Sequence, residues 1–388
     1  MNSDRRTTVA VRLFGTWVAV VWASAVAGQT QPSMSIGQYS HQKSDYELVN
    51  TAYNQLPATL ISPHIAWARN PAWAEPRVLL VLPTWASRDA VELKQRFPCQ
   101  VSVVMTRSHL EWAVPKSGEP YGEADAKEPT RIALTLLHRP DKYDAIVIGK
   151  VDWSAIPEPV RQLVLDRVAT GSGLVYVSPR GLDERLEKLR AANRSQESPS
   201  PIAEGIPLAM LPLRNDKRSL GPLEIATAQY GQGRVVFVDY RDHARILEGG
   251  NEWRYAVGAE TIALTPFVED DPLFYDYYYS LLGKALLWAA RKDPESRIVP
   301  KSEAFEIDSG KLPGSLALFA VTVGKQGAAC IAHVELRDRD NRVIVVRQVP
   351  LPMAAGPSEV ALDIPRVKTG LYVADLWLIA GGHVANWA

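Results

Sequence analysis

Cysteine is nearly absent from this chain. It has two in 388 residues, Cys99 and Cys330. So few thiols leave no cysteine-based metal site. Cys330 lies on the apolar side of an alternating strand with Ala332, Val334 and Leu336, and both cysteines read as small buried hydrophobes in different cores rather than as a disulfide pair. Charge of one sign is also missing. Forty-three basic residues balance 43 acidic ones, and no basic stripe stands out, so there is no electrostatic footprint for nucleic acid. His64, His109, His138, His333 and His383 show no metal-ligand spacing; His333 shares the polar face of its strand with Glu335 and Arg337, where solvent exposure accounts for it. Gly171-Ser172-Gly173 precedes a strand rather than a helix, the wrong context for a phosphate loop. Glu269-Asp270-Asp271 reads more simply as an acidic helix start than as a cation site. No metal and no cofactor are expected.

One apolar run near the N-terminus carries a message. Arg5, Arg6 and Arg12 precede Leu13–Ala27, which closes on Ala23-Ser24-Ala25-Val26-Ala27-Gly28. A basic region, a short apolar region and an Ala-x-Ala ending define a secretory signal, with cleavage expected after Ala27. The run is shorter than a spanning helix needs, so no membrane span is expected in the mature chain. The expected location is secreted or periplasmic.

Residues 28–75 read as an extended leader that packs on the next domain, with Trp67 and Trp73 as staples. From Arg77 the pattern alternates strand and helix. Val78–Leu82 is a continuous apolar run, as a strand buried on both faces requires. Ser87 is placed to cap a helix reaching Phe97. Val101–Met105, Ala145–Ile148 and Leu174–Val177 read as further strands, with helices at Glu128–Leu137, after Pro157, and at Leu182–Ala192. Glu224–Gln229 and Arg234–Tyr240 flank a glycine turn and form a hairpin. Asp271-Pro272 opens a helix whose Phe274, Tyr278, Leu281, Ala285 and Trp288 repeat at helical spacing. Past Pro294 the period switches to two. Leu316–Val323, Cys330–Leu336, Val343–Val349, Val360–Ile364 and Leu371–Leu378 alternate as the strands of a β-sandwich do, and Gly381-Gly382 turns a hairpin into His383–Trp387. A domain ending inside a hairpin strand leads to the expectation that the natural product continues.

Tyr143 to Trp153 is a buried strand that breaks at Gly149. The elbow, the helix after it, Val168–Val177, the turn-and-strand unit Tyr230–Phe237 and the aromatic-rich helix Tyr277–Arg291 follow one another in a set order. In that order they resemble the class I glutamine amidotransferase-like fold, in the non-catalytic branch of secreted bacterial proteins akin to β-galactosidase trimerisation-type domains. The resemblance covers about Arg77 to Lys292. It implies a doubly wound, mostly parallel α/β domain over residues 76–293, and an immunoglobulin-like sandwich over 300–388 completes the chain. Catalytic members carry Gly-x-Cys-x-Gly at the elbow. Here Gly149 matches the first glycine, Val151 falls where the thiol should stand, and Trp153 where the last glycine should. A shift of one residue offers only Lys150. Two residues after His243 stands Arg245 rather than an acid, and Cys99 sits at the start of a strand, the wrong end of the sheet. Glutamine hydrolysis by the family mechanism is therefore not expected.

What remains is a set of polar residues at the carboxyl ends of the strands, where open α/β sheets bind ligands. Thr84 and Trp85 follow the first strand, Lys150 and Asp152 the third, and Asp239 and Arg241 the last, lining an expected ligand pocket. Lys150 and Asp152 read first as a local ion pair at a loop. The leading expectation is a secreted, non-catalytic scaffold or binding module of a larger carbohydrate-processing or cell-surface protein, with a carbohydrate or a downstream catalytic domain as partner. The alternative is a hydrolase with a rebuilt site using Asp152, Asp242 and His243. A third reading is homo-oligomerisation with no small ligand.

Overall fold

The computed structural model describes residues 59–388, apart from 108–111, 116–123, 193–201, 208–222, 241–262, 266–272, 303, 308–313, 325–328, 353–356 and 365–366. The expected signal segment, the helix start at Asp271-Pro272 and the site candidates Arg241, Asp242 and His243 lie outside the described residues.

Strand and helix alternate first: β1 (Arg77–Pro83), α1 (Ser87–Arg96), β2 (Gln100–Thr106), α2 (Lys127–His138), β3 (Ala145–Gly149), α3 (Glu158–Ala169), β4 (Gly173–Val177), α4 (Glu184–Ala192), β5 (Glu224–Tyr230), β6 (Gly233–Asp239) and α5 (Leu273–Ala289). The six strands form one sheet in the order β2-β1-β3-β4-β6-β5. Its first five strands run parallel, and β5 pairs antiparallel at the edge. The continuous apolar runs are explained by two-sided burial. Val78, Leu80 and Leu82 face the core under α1 and α5, while Leu79 and Val81 face the core under α2 and α3. Ser87 does not cap α1 as expected. A 3-10 turn, Thr84–Ala86, leads directly into the helix, so Ser87 becomes its first residue and Ala86 holds the cap position without a side-chain bond.

Seven more strands follow: β7 (Arg297–Pro300), β8 (Leu316–Thr322), β9 (Cys330–Asp338), β10 (Val343–Leu351), β11 (Pro357–Leu362), β12 (Tyr372–Ala380) and β13 (His383–Trp387). They form two antiparallel sheets, ordered β11-β8-β7 and β10-β9-β12-β13. The sheets enclose a core that includes Leu318, Val321, Val334, Val360, Leu376 and Leu378. Strand β7 is absent from the sequence reading because four residues between Ser296 and Lys301 are too few to show a period. The β12–β13 turn is glycine's work: Gly381 and Gly382 both take positive φ, 58° and 85°, which side-chain-bearing residues avoid.

The polar face of β9 is where the structure departs most from expectation. His333, Glu335 and Arg337 do not simply face solvent. That face of the sheet is laid against the α/β part. Arg337 Nε donates to Asp375 Oδ2 at 2.8 Å, the Tyr277 hydroxyl of α5 donates to Asp375 Oδ1 at 2.9 Å, and the His333 ring lies 5.9 Å from that of Trp377. Trp377, Val384 and Trp387 belong to the same apolar cluster as α1 and α5. Trp67, fully buried, joins both parts: its ring stacks on Trp377 at 5.7 Å and its indole N–H donates to the Asp276 carbonyl at 2.8 Å. Cys99 and Cys330 are both free and buried, in separate clusters. No helix among the described residues is long and apolar enough to cross a membrane.

Candidate functional site

A parallel sheet brings the carboxyl ends of its strands to one edge, and the register of β1, β3, β4 and β6 places Thr84, Lys150, Ser178 and Asp239 along it. The edge is built on backbone strain at two adjacent strands. Lys150 leaves β3 at φ 55° and Ser178 leaves β4 at φ 47°, both left-handed conformations that cost a side-chain-bearing residue about 1–2 kcal/mol. Each is held by a bond to the next strand. The Lys150 N–H donates to the Val177 carbonyl at 3.0 Å, and the Ser178 N–H donates to the Val238 carbonyl at 2.7 Å. The strained elbow residue is therefore Lys150 and not Val151.

The expected polar residues take structural partners. Thr84 Oγ1 donates to the Thr106 carbonyl at 2.7 Å, tying β1 to β2. Trp85 shares that 3-10 turn. Asp152 accepts from the Ser154 N–H at 2.9 Å and from its hydroxyl at 2.6 Å, so the carboxylate that was expected to pair with Lys150 caps the Trp153–Ala155 turn. Gly181 lies against it: at φ +54°, a Cβ there would come within 1.8 Å of Asp152 Oδ1. Asp239 is buried and ion-paired with Arg190 of α4. Thr84, Lys150 and Asp239 thus share one edge, where Thr84 and Asp239 are each held by a partner within the fold.

Asp89, in the first turn of α1, is the residue that sequence reasoning missed. It is buried, and its Oδ2 accepts the backbone N–H groups of Ala263 and Leu264 at 2.7 and 2.8 Å. Burial pushes its carboxyl up to about 6, against the pull of those two donors and of the Lys150 charge nearby. Its partners lie 174 and 175 residues away, so no local pattern could have revealed them. The consequence is steric. Ala263, Leu264 and Thr265 are wholly buried on the carboxyl edge, and a Cβ at Gly149 would meet Leu82 at 2.7 Å and Leu264 at 3.0 Å. Lys150 beneath them is 8% exposed. A second buried charge cluster ties the leader down. Arg96 bridges Asp276 at 2.6 Å and Glu92 at 2.7 Å, Arg88 bridges Glu92 at 2.7 Å, and the Ser62 hydroxyl donates to Glu92 at 2.6 Å.

No family model, curated protein or solved structure matches this chain. Its chemistry is therefore read from its own side chains. Cys99, the cysteine of the α/β part, sits before β2 at the amino end of the sheet, where burial pushes its thiol up to about 12. Such a thiol is not a nucleophile at neutral pH. Among the described residues, no three His, Cys, Asp or Glu side chains are grouped to hold a metal ion.

Proposed function

We propose that this chain is a secreted, non-catalytic module, amidotransferase-like in its α/β part and immunoglobulin-like in its sandwich, that binds or scaffolds within a larger carbohydrate-processing or cell-surface protein. The observation that carries the reading is the buried Ala263–Thr265 segment, pinned by Asp89 over the strained elbow. A catalytic elbow must present its nucleophile to substrate. This one carries Lys150 and lies under Leu264. Asp152, which a rebuilt hydrolase site would need, already accepts two bonds from Ser154. The Ala-x-Ala ending at Ala27 supports export.

The test is a turnover screen of residues 28–388 on glutamine, ester and glycoside substrates. No turnover above the uncatalysed rate is expected. Turnover that disappears in Lys150→Ala or Asp152→Ala would overturn the reading.

A further inference from the structure

The sheet β10-β9-β12-β13 has two edges, and the chain treats them differently. The β13 edge is covered by the leader: the Val384 N–H donates to the Asn70 carbonyl at 2.9 Å, and the Ala72 N–H donates to the Val384 carbonyl at 2.8 Å. The β10 edge pairs with no strand among the described residues. Its apolar side chains are bare as well. Val343, Ile344 and Val346 are 42%, 44% and 45% exposed, and Ile331, opposite Pro350 on β9, is 36% exposed.

A long apolar edge invites another strand, and natural sheets guard such edges with charge, proline or a bulge. β10 carries one of each, Arg347, Pro350 and a register shift between Val343 and Val345, and their positions define what stays open. Pro350 has no N–H, so it faces away from β9 rather than into the ladder. Backbone groups of alternate residues point to the same side of a strand. Gln348 and Val346 therefore turn their N–H and carbonyl groups outward too. The Val346 carbonyl accepts there from the exposed Arg347 guanidinium at 3.2 Å.

Such an edge takes a strand of complementary pattern, and this chain supplies one in itself. Three symmetric antiparallel registers use the outward groups. An axis at Arg347 sets two guanidinium groups opposite each other, which repel. An axis at Gln348 sets Val346 opposite Pro350, which has no N–H to give. An axis at Val346 avoids both: the two Val346 residues exchange N–H and carbonyl bonds, and Arg347 faces Val345. The 43 basic and 43 acidic residues leave no net charge to hold copies apart. We propose that β10 pairs antiparallel with β10 of a second copy of this chain about a two-fold axis at Val346, joining the two sheets into one. The contact uses the same edge of both copies, so it closes at a dimer. The bulge and Pro350 bracket it and keep it short. It goes beyond the binding-module reading, since turnover would leave it standing and a monomer would leave that reading standing.

The experiment is sedimentation velocity of the full chain from about 1 to about 300 μM, the span over which a short, weak interface changes occupancy. Monomer should pass to dimer within it. Val346→Lys places two like charges on the axis and should weaken association at least tenfold, while the dilute protein keeps its thermal midpoint because the side chain is exposed. If that variant fails to fold, Ile344→Lys should give the same loss. Cross-linking reads the register. On the axis the two copies of residue 346 lie about 5.5 Å apart between Cα atoms, within disulfide range, so Val346→Cys should form a covalent dimer on mild oxidation. The two copies of residue 348 lie about 13 Å apart, and Gln348→Cys should not. Cys99 and Cys330 are buried and stay out of the reaction. A monomer throughout, even one that binds a foreign strand peptide, a dimer indifferent to both lysine variants, or equal cross-linking at 346 and 348 would each overturn the proposal.

Discussion

Asp152 and Gly181 act as one unit. The carboxylate that caps the Trp153 turn occupies the space where any side chain at 181 would begin. Gly181→Ala therefore meets two costs, a left-handed φ of +54° and the displaced cap, together about 2 kcal/mol or more. Asp152→Ala costs the cap alone, about 1 kcal/mol. The two losses should not add. In a urea-denaturation cycle the double variant should be about 1 kcal/mol more stable than the sum of the singles predicts, since removing the carboxylate also removes the clash. Strict additivity would show that the two residues are independent. The sequence pointed to Asp152 and Lys150 because they flank the end of a legible strand, but it did not show that Asp152 caps the turn after that strand. Asp152 accepts from Ser154 and fills the space beside Gly181, and neither relation leaves a periodic trace in the sequence. Asp89 was illegible for a different reason: a carboxylate in the first helical turn is an ordinary favourable charge, and only a contact made 174 residues later turns it into a clamp.

The parallel strands were legible as elements because burial on both faces forces an unbroken apolar run, and runs this short bounded by Pro or Gly read as strands rather than helices. The β9 strand was legible too, though the fate of its second face was not. An alternating strand with one polar face predicts solvent there, yet Arg337 and Glu335 sit in a partly buried ionic network against α5. Alternation reports which residues share a face, and it is silent on what covers that face. Strand β13 shows what this covering does. Trp387 is fully buried, donates its indole N–H to Ser280 of α5 at 2.7 Å, and lies 5.5 Å from Phe97 and 5.7 Å from Trp73. Its loss should cost about 3–5 kcal/mol, the range for deleting a buried aromatic side chain. Because Trp387 belongs to the sandwich yet packs in the α/β core, Trp387→Ala should lower protection against hydrogen exchange by a similar free energy at the amides of β1 and of β12. Loss confined to β12 would mean that the two sheets unfold separately.

In the whole molecule, the joint between the α/β part and the sandwich is sealed by a buried carboxyl, and this makes stability depend on pH. Asp375 is wholly buried, and burial pushes its carboxyl up to about 7 despite the opposing pull of the Arg337 guanidinium and the Tyr277 hydroxyl; the Glu335 charge adds a smaller push upward. Its unfolded value is near 3.8. Between those limits the folded chain holds a proton that the unfolded chain has released. Stability from this group is therefore greatest at the acid end of the window and falls as pH rises toward 7, by at most about 1.4 kcal/mol per pH unit. Asp89, raised to about 6, adds a slope of the same sign over the lower part of that window. Asp375→Asn keeps an acceptor for Tyr277 and removes the titration. Urea midpoints measured at pH 5, 6 and 7 should fall with pH in the parent chain more steeply than in Asp375→Asn, with the difference concentrated between pH 5 and 7. Parallel slopes in the two proteins would mean that Arg337 holds Asp375 ionised throughout, and that the joint is an ordinary ion pair.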